Sequence, residues 1–237
     1  MQKRSRFFSV SYYLLALLLM MVVSPFLELS RCGSPLEAML ITLVFLSALL
    51  AIGAGRKTLV CITALTGLVV MGKWLHYYQP GLVNPAFYQG IGIFIIGYTA
   101  YRLLLFISRS PRVDSEVLCA GVAVYLTLGV FWALAYSLVD QIVPGSFTFM
   151  GKPVAENYMV GFTALYFSFA TLCTVGYGDI MPVSGLARML AILEAAGGVF
   201  YVAILISRLV ALHSTESLNR QRADADQQDH GASRENP

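Results

Sequence analysis

The sequence predicts an all-α membrane protein of six transmembrane helices plus one re-entrant helix that enters the bilayer without crossing it. Three observations carry this. Of 237 residues, 57% are hydrophobic and only 12% charged, with a mean hydropathy of +0.70. A soluble domain of this length could not hide so much apolar surface. Six apolar runs are each long enough to cross a hydrocarbon core of ~30 Å, and a seventh is too short. The net charge of +3 is too small to argue for nucleic acid, and none is expected as a partner.

The first run, residues 7–29, follows Lys3, Arg4 and Arg6. It is read as a retained helix, being long for a signal-peptide core and closing on no small-x-small site. The second covers residues 36–54 and ends at Gly53, Gly55 and Arg56-Lys57. The third, residues 58–78, carries Lys73, Trp74, Tyr77 and Tyr78 at its end, as expected where a helix leaves the membrane. Pro80, Gly81 and Pro85 break the chain before the fourth run, residues 86–108, and Pro111 follows it. The fifth is residues 116–139, with Asp114 or Ser115 as its N-cap.

Residues 140–157 are polar, hold Pro144, Gly145, Gly151 and Pro153, and read as a loop or turret. Residues 158–173 are apolar and aromatic but short, which suits a re-entrant helix surrounded by protein or a water-filled cavity. The last span is residues 185–212. Beyond His213 the chain is rich in Asp, Gln and Arg, has little to bury, and reads as a disordered tail over residues 213–237.

Basic residues gather before span one, between two and three, between four and five, and after six, at Arg220 and Arg222. The opposite loops hold Arg31, Lys73, Lys152 and Arg188. The positive-inside rule therefore places both termini in the cytoplasm and the Asp179 end of the re-entrant loop outside.

Thr174-Val175-Gly176-Tyr177-Gly178 follows the re-entrant run. A strand that replaces the water around a bare cation must aim successive carbonyls one way. Gly176 and Gly178 permit the dihedrals this needs. Thr174 can add a hydroxyl, while Val175 and Tyr177 can point outward and brace the strand. From residues 164 to 183 the chain resembles, without a gap, the pore domain of tetrameric potassium channels, and T-V-G-Y-G is that family's selectivity filter. The resemblance implies a homotetramer in which four strands bind permeant K+ through Thr174, Val175, Gly176, Tyr177 and Gly178. It also implies a 113–212 pore domain behind a separate 1–110 four-helix region.

The resemblance implies three further roles. Asp179 stands above the filter, where Tyr166 could hold it by a hydrogen bond or solvent could. Gly197 and Gly198 sit midway along the last span, where the family's inner helix bends; a gating hinge and close helix packing are both open. Glu194, near filter depth, is either a support that reaches Ser168 or Thr171 from behind the filter or a protonated or locally paired structural residue.

Voltage sensing needs arginines at every third position of a fourth helix, and Arg102 with Arg109 makes no ladder. The sequence gives the first four spans no clear role; scaffold and lipid or ligand sensor both fit. No cofactor beyond permeant K+ is expected. The four cysteines show no metal-ligand spacing, and His76, His213 and His230 are scattered, so no enzyme reading survives. The expected function is passive, potassium-selective conduction in a plasma (cytoplasmic) membrane. Two alternatives stand beside it: a non-conducting receptor or assembly subunit, and a weakly selective cation channel. Ligand gating would need a separate regulatory chain, because the tail is too short for a binding domain.

Overall fold

The computed structural model describes residues 2–28, 33–52, 56–79, 81, 84–110, 114–150, 152–153 and 159–235. Arg31, Cys32, Gly53, Gly55, Pro80, Pro111, Arg112 and Gly151 lie outside them.

Among the described residues seven helices follow the apolar runs: α1 (Gln2–Glu28), α2 (Gly33–Ile52), α3 (Arg56–Tyr78), α4 (Pro85–Arg109), α5 (Ser115–Ile142), α6 (Gly161–Leu172) and α7 (Gly185–Glu235). Five of them are long and apolar enough among the described residues to cross a membrane. The apolar stretch of α2, Ala38–Leu49, is shorter than a crossing, although the helix itself runs 20 residues. α6, with 12 residues, is too short to span, as its sequence predicts.

Local chemistry sets the ends. Asn84 caps α4 by accepting from the Ala86 N–H at 3.0 Å, and Pro85 takes the first helical position, where its missing N–H costs nothing. The Asp114 carbonyl receives the Val117 and Leu118 N–H groups at the start of α5. Trp74 and Tyr78 stack at the end of α3, with ring centroids 6.2 Å apart.

α5 is the pivot of the fold. It packs against α1, α4, α6 and α7. Small residues make this possible: Ala120, Ala123 and Ala133 are buried, and neighbouring helices approach over them. The core runs through α1 to α6, with Tyr13, Leu17, Ile95, Ile96 and Val124 fully buried. Inside it the Tyr13 and Thr127 hydroxyls, both buried, share a hydrogen bond of 3.0 Å that ties α1 to α5.

Two features depart from the sequence reading. The turret contains two short strands, β1 (Phe147–Phe149) and β2 (Lys152–Pro153). β1 pairs antiparallel with both β2 and β3 (Ile180–Pro182), the segment after the filter, giving the order β2-β1-β3. Strands of two or three residues are too short to show an alternating pattern. The polar segment after His213, expected to be disordered, continues α7 as helix through Glu235. Its Glu, Arg, Gln and Ala residues are good helix formers, and no proline interrupts them.

At the far end, Arg208 of α7 donates through Nη2 to the carbonyls of Ser108 and Ser110 at 2.6 and 3.2 Å, joining it to the end of α4.

Candidate functional site

The last carbonyls of α6 have no helical partners of their own, and the strand that follows supplies them. Cys173 N–H donates to the Phe169 carbonyl at 3.0 Å and Thr174 N–H to that of Thr171 at 2.9 Å. Val175 and Gly176 N–H both donate to the Ala170 carbonyl, at 2.9 and 3.1 Å. A trans peptide points its C=O opposite to its N–H. The N–H groups of Val175 and Gly176 face α6, so the carbonyls of Thr174 and Val175 face away from it. They open onto a face where residues 173–178 are all exposed in the single chain.

The dihedrals agree. Thr174, Gly176 and Gly178 have φ of 57°, 55° and 79°, while Val175 and Tyr177 between them keep negative φ. Alternating the sign of φ cancels the usual reversal of carbonyl direction along a strand. The sequence marks the two glycines for this conformation but not Thr174, which adopts it with a Cβ.

Tyr177 leans back on α6, stacked on Tyr166 at 5.9 Å with an interplanar angle of 5°. Tyr166 Oη donates to Asp179 Oδ2 at 2.7 Å, and the other carboxylate oxygen accepts the Ile180 N–H at 2.9 Å. From the turret, the Met150 N–H donates to the Asp179 carbonyl at 2.6 Å. Met150 sits in the β1–β2 turn at φ 48°. The Asp179 end of the strand is therefore clasped by both α6 and the β1–β2 hairpin.

Behind the strand, Tyr136, Phe147 and Phe167 form a triangle of edge-on rings with centroids 4.8 to 5.8 Å apart, joining α5, β1 and α6. Asp140, which the sequence assigns to the turret, belongs to α5, is buried, and accepts the Met159 N–H at 3.1 Å.

Glu194 is fully buried and touches Ser168, whose Oγ lies 2.5 Å from Oε1. Its second partner, Tyr136 on α5, donates to Oε2 and was not foreseen. Thr171 bonds the Phe167 carbonyl instead. The two mid-helix glycines differ. A Cβ on Gly198 would meet the Leu172 carbonyl oxygen at 2.4 Å, whereas one on Gly197 would meet nothing within 4 Å. Gly198 therefore marks close packing of α7 on the end of α6.

Among the described residues no group of His, Cys, Asp or Glu could hold a metal ion, and Cys61, Cys119 and Cys173 are free thiols. A carbonyl-lined strand needs neither to meet a bare monovalent cation.

Residues 116–214 match the ion channel family. The two pore potassium channel c of Oryza sativa subsp. japonica is 38% identical over 37% of this chain and 17% of its own. The inward rectifier potassium channel Kirbac3.1 of Paramagnetospirillum magnetotacticum is 33% identical over 37% of this chain and 26% of its own. The calcium-gated potassium channel TvoK of Thermoplasma volcanium is 42% identical over 24% of this chain and 15% of its own. The chain thus spans about a quarter or less of the length of these relatives. No solved structure matches it. With its apolar helices it is a multi-pass membrane protein. Residues 116–214 are thus similar to an ion channel family and to segments of proteins named as potassium channels.

Proposed function

We propose that this protein is a potassium-selective channel that conducts K+ passively through carbonyl sites on Thr174 to Gly178. The observation that carries this is the pair of Thr174 and Val175 carbonyls turned away from α6 onto an exposed face. Stacked carbonyls of this kind replace the hydration shell of K+ and let it pass from site to site. The relatives named as potassium channels support the choice of ion.

One strand supplies only part of an ion's oxygen shell, so conduction needs several copies, and the resemblance sets the number at four. The exposure of the strand and of α7 supports such assembly. Only 11% of the apolar window of α7 is buried in the single chain, against 56% for α5. The remainder is available to neighbouring copies and to membrane lipid. The basic residues orient the channel with both termini in the cytoplasm and Asp179 at the outer mouth of a plasma membrane. Gating is not by voltage, and Gly197, free of close neighbours, is the better site for a bend in α7.

Flux into liposomes carrying the purified protein tests this. K+ uptake well above Na+ uptake, from a species that cross-links to four chains, is the expected result. Equal Na+ and K+ uptake would leave an unselective cation channel, and no uptake from an intact assembly would leave a non-conducting receptor or subunit.

A further inference from the structure

Glu194 is 0% exposed within one chain, so its surroundings are complete before any other copy arrives. Three helices meet at its carboxyl. Tyr136 Oη of α5 lies on Oε2. Ser168 Oγ of α6 lies 2.5 Å from Oε1 and 2.8 Å from the Gly129 carbonyl oxygen of α5. The partners of this carboxyl among the described residues are hydroxyls, with no cation.

Two oxygens this close need a hydrogen between them, because lone pairs otherwise face each other. There are three such lines: Tyr136 to Oε2, Ser168 to Oε1, and Ser168 to the Gly129 carbonyl. The hydroxyls bring one hydrogen each. That of Tyr136 occupies the first line, and that of Ser168 can occupy only one of the other two. A carbonyl has no hydrogen to give, so the third must come from the carboxyl.

We propose that Glu194 is a neutral carboxylic acid whose Oε1 hydroxyl donates to Ser168 Oγ. Ser168 in turn donates to the Gly129 carbonyl, and Tyr136 donates to Oε2. Every line then holds one hydrogen, and no charge is buried. An ionised carboxylate here would leave one short contact without a hydrogen and would be desolvated with no cation to offset the cost.

The circuit fixes α6 against α5 and α7 just before the turn from which the conducting strand hangs. Glu194 is thus a positioning residue for that strand, a role that rests on the channel reading; its protonation does not. Glutamine is the informative substitute, since its amide donates to Ser168 and accepts from Tyr136 as the neutral acid does.

Infrared difference spectra of the intact protein in lipid, wild type against Glu194→Gln at neutral pH, read the protonation directly. The expected result is a protonated-acid carbonyl band present in the wild type and missing from the variant. Ser168→Ala should shift that band by removing its acceptor, without abolishing it. Carboxylate bands in place of the acid band would overturn the proposal. For positioning, Glu194→Ala should shorten the lifetime of the K+-selective conducting state about tenfold, the effect of about 1.4 kcal/mol. Glu194→Gln should recover most of it. A glutamine variant as impaired as the alanine variant would overturn the neutral-acid role. An acid band in a protein that passes no K+ would sink the channel reading and leave the protonation standing.

Discussion

Tyr166 holds Asp179 at the end of the strand: Oη donates to Oδ2 at 2.7 Å while the same ring lies flat against Tyr177. One side chain thus fixes the Asp179 carboxylate and braces Tyr177 from behind. Tyr166→Phe separates the two, because the stack survives and the hydrogen bond does not. A hydrogen bond to a charged group contributes about 1.5–3 kcal/mol. The variant should assemble normally yet lose its K+-selective current faster under sustained recording. Wild-type persistence would show that the bond does not steady the mouth.

The adjacent glycines of α7 should behave differently. Gly198→Ala drives a methyl to within 2.4 Å of the Leu172 backbone oxygen, which cannot rotate away. A loss of about 1–3 kcal/mol, the usual range for overpacking, is expected in thermal unfolding. Gly197→Ala meets nothing and should melt at the wild-type temperature or above, since glycine weakens a helix interior. A changed open probability in the stable Gly197→Ala protein would mark the bend.

Gly129 is a second close-packing site. A Cβ there would stand 2.3 Å from the Phe169 ring of α6. Gly129→Ala should destabilise the protein by about 1–3 kcal/mol in the same assay. Adding Phe169→Leu should restore part of this, and failure of that rescue would place the clash elsewhere.

Voltage should matter little. Each elementary charge moved through the field contributes about 2.3 kcal/mol per 100 mV, and a steep response needs many of them. Arg102 is held near Tyr98, its guanidinium 6.0 Å from the ring centroid and 3.2 Å from the hydroxyl. Open probability recorded in a planar bilayer should change shallowly between negative and positive potentials. A steep sigmoid would require charges not recognised in α4.

What the sequence disclosed depended on whether information lay along the chain or across it. The helices appear as apolar runs because the bilayer imposes one length scale on all of them. The strand of Thr174 to Gly178 is contiguous, and so is the short stretch that contains both Tyr166 and Asp179. Tyr136 went unnoticed as a partner of Glu194 because 58 residues separate them and a tyrosine in an apolar run looks like packing. The turret hairpin escaped because β1 becomes a strand by pairing with β3, on the far side of α6 in the sequence. Asp140 looked like the first polar residue of a loop, and only the Met159 N–H facing it explains its burial.

Arg208 of α7, the helix whose Gly198 packs against the end of α6, grips two carbonyls at the end of α4. The lower part of α7 cannot swing without pulling on that end or letting go of it. If α7 bends when the proposed channel opens, a deformation of α4, whether by stretch, a wedge of lipid or a bound molecule, reaches that bend through Arg208.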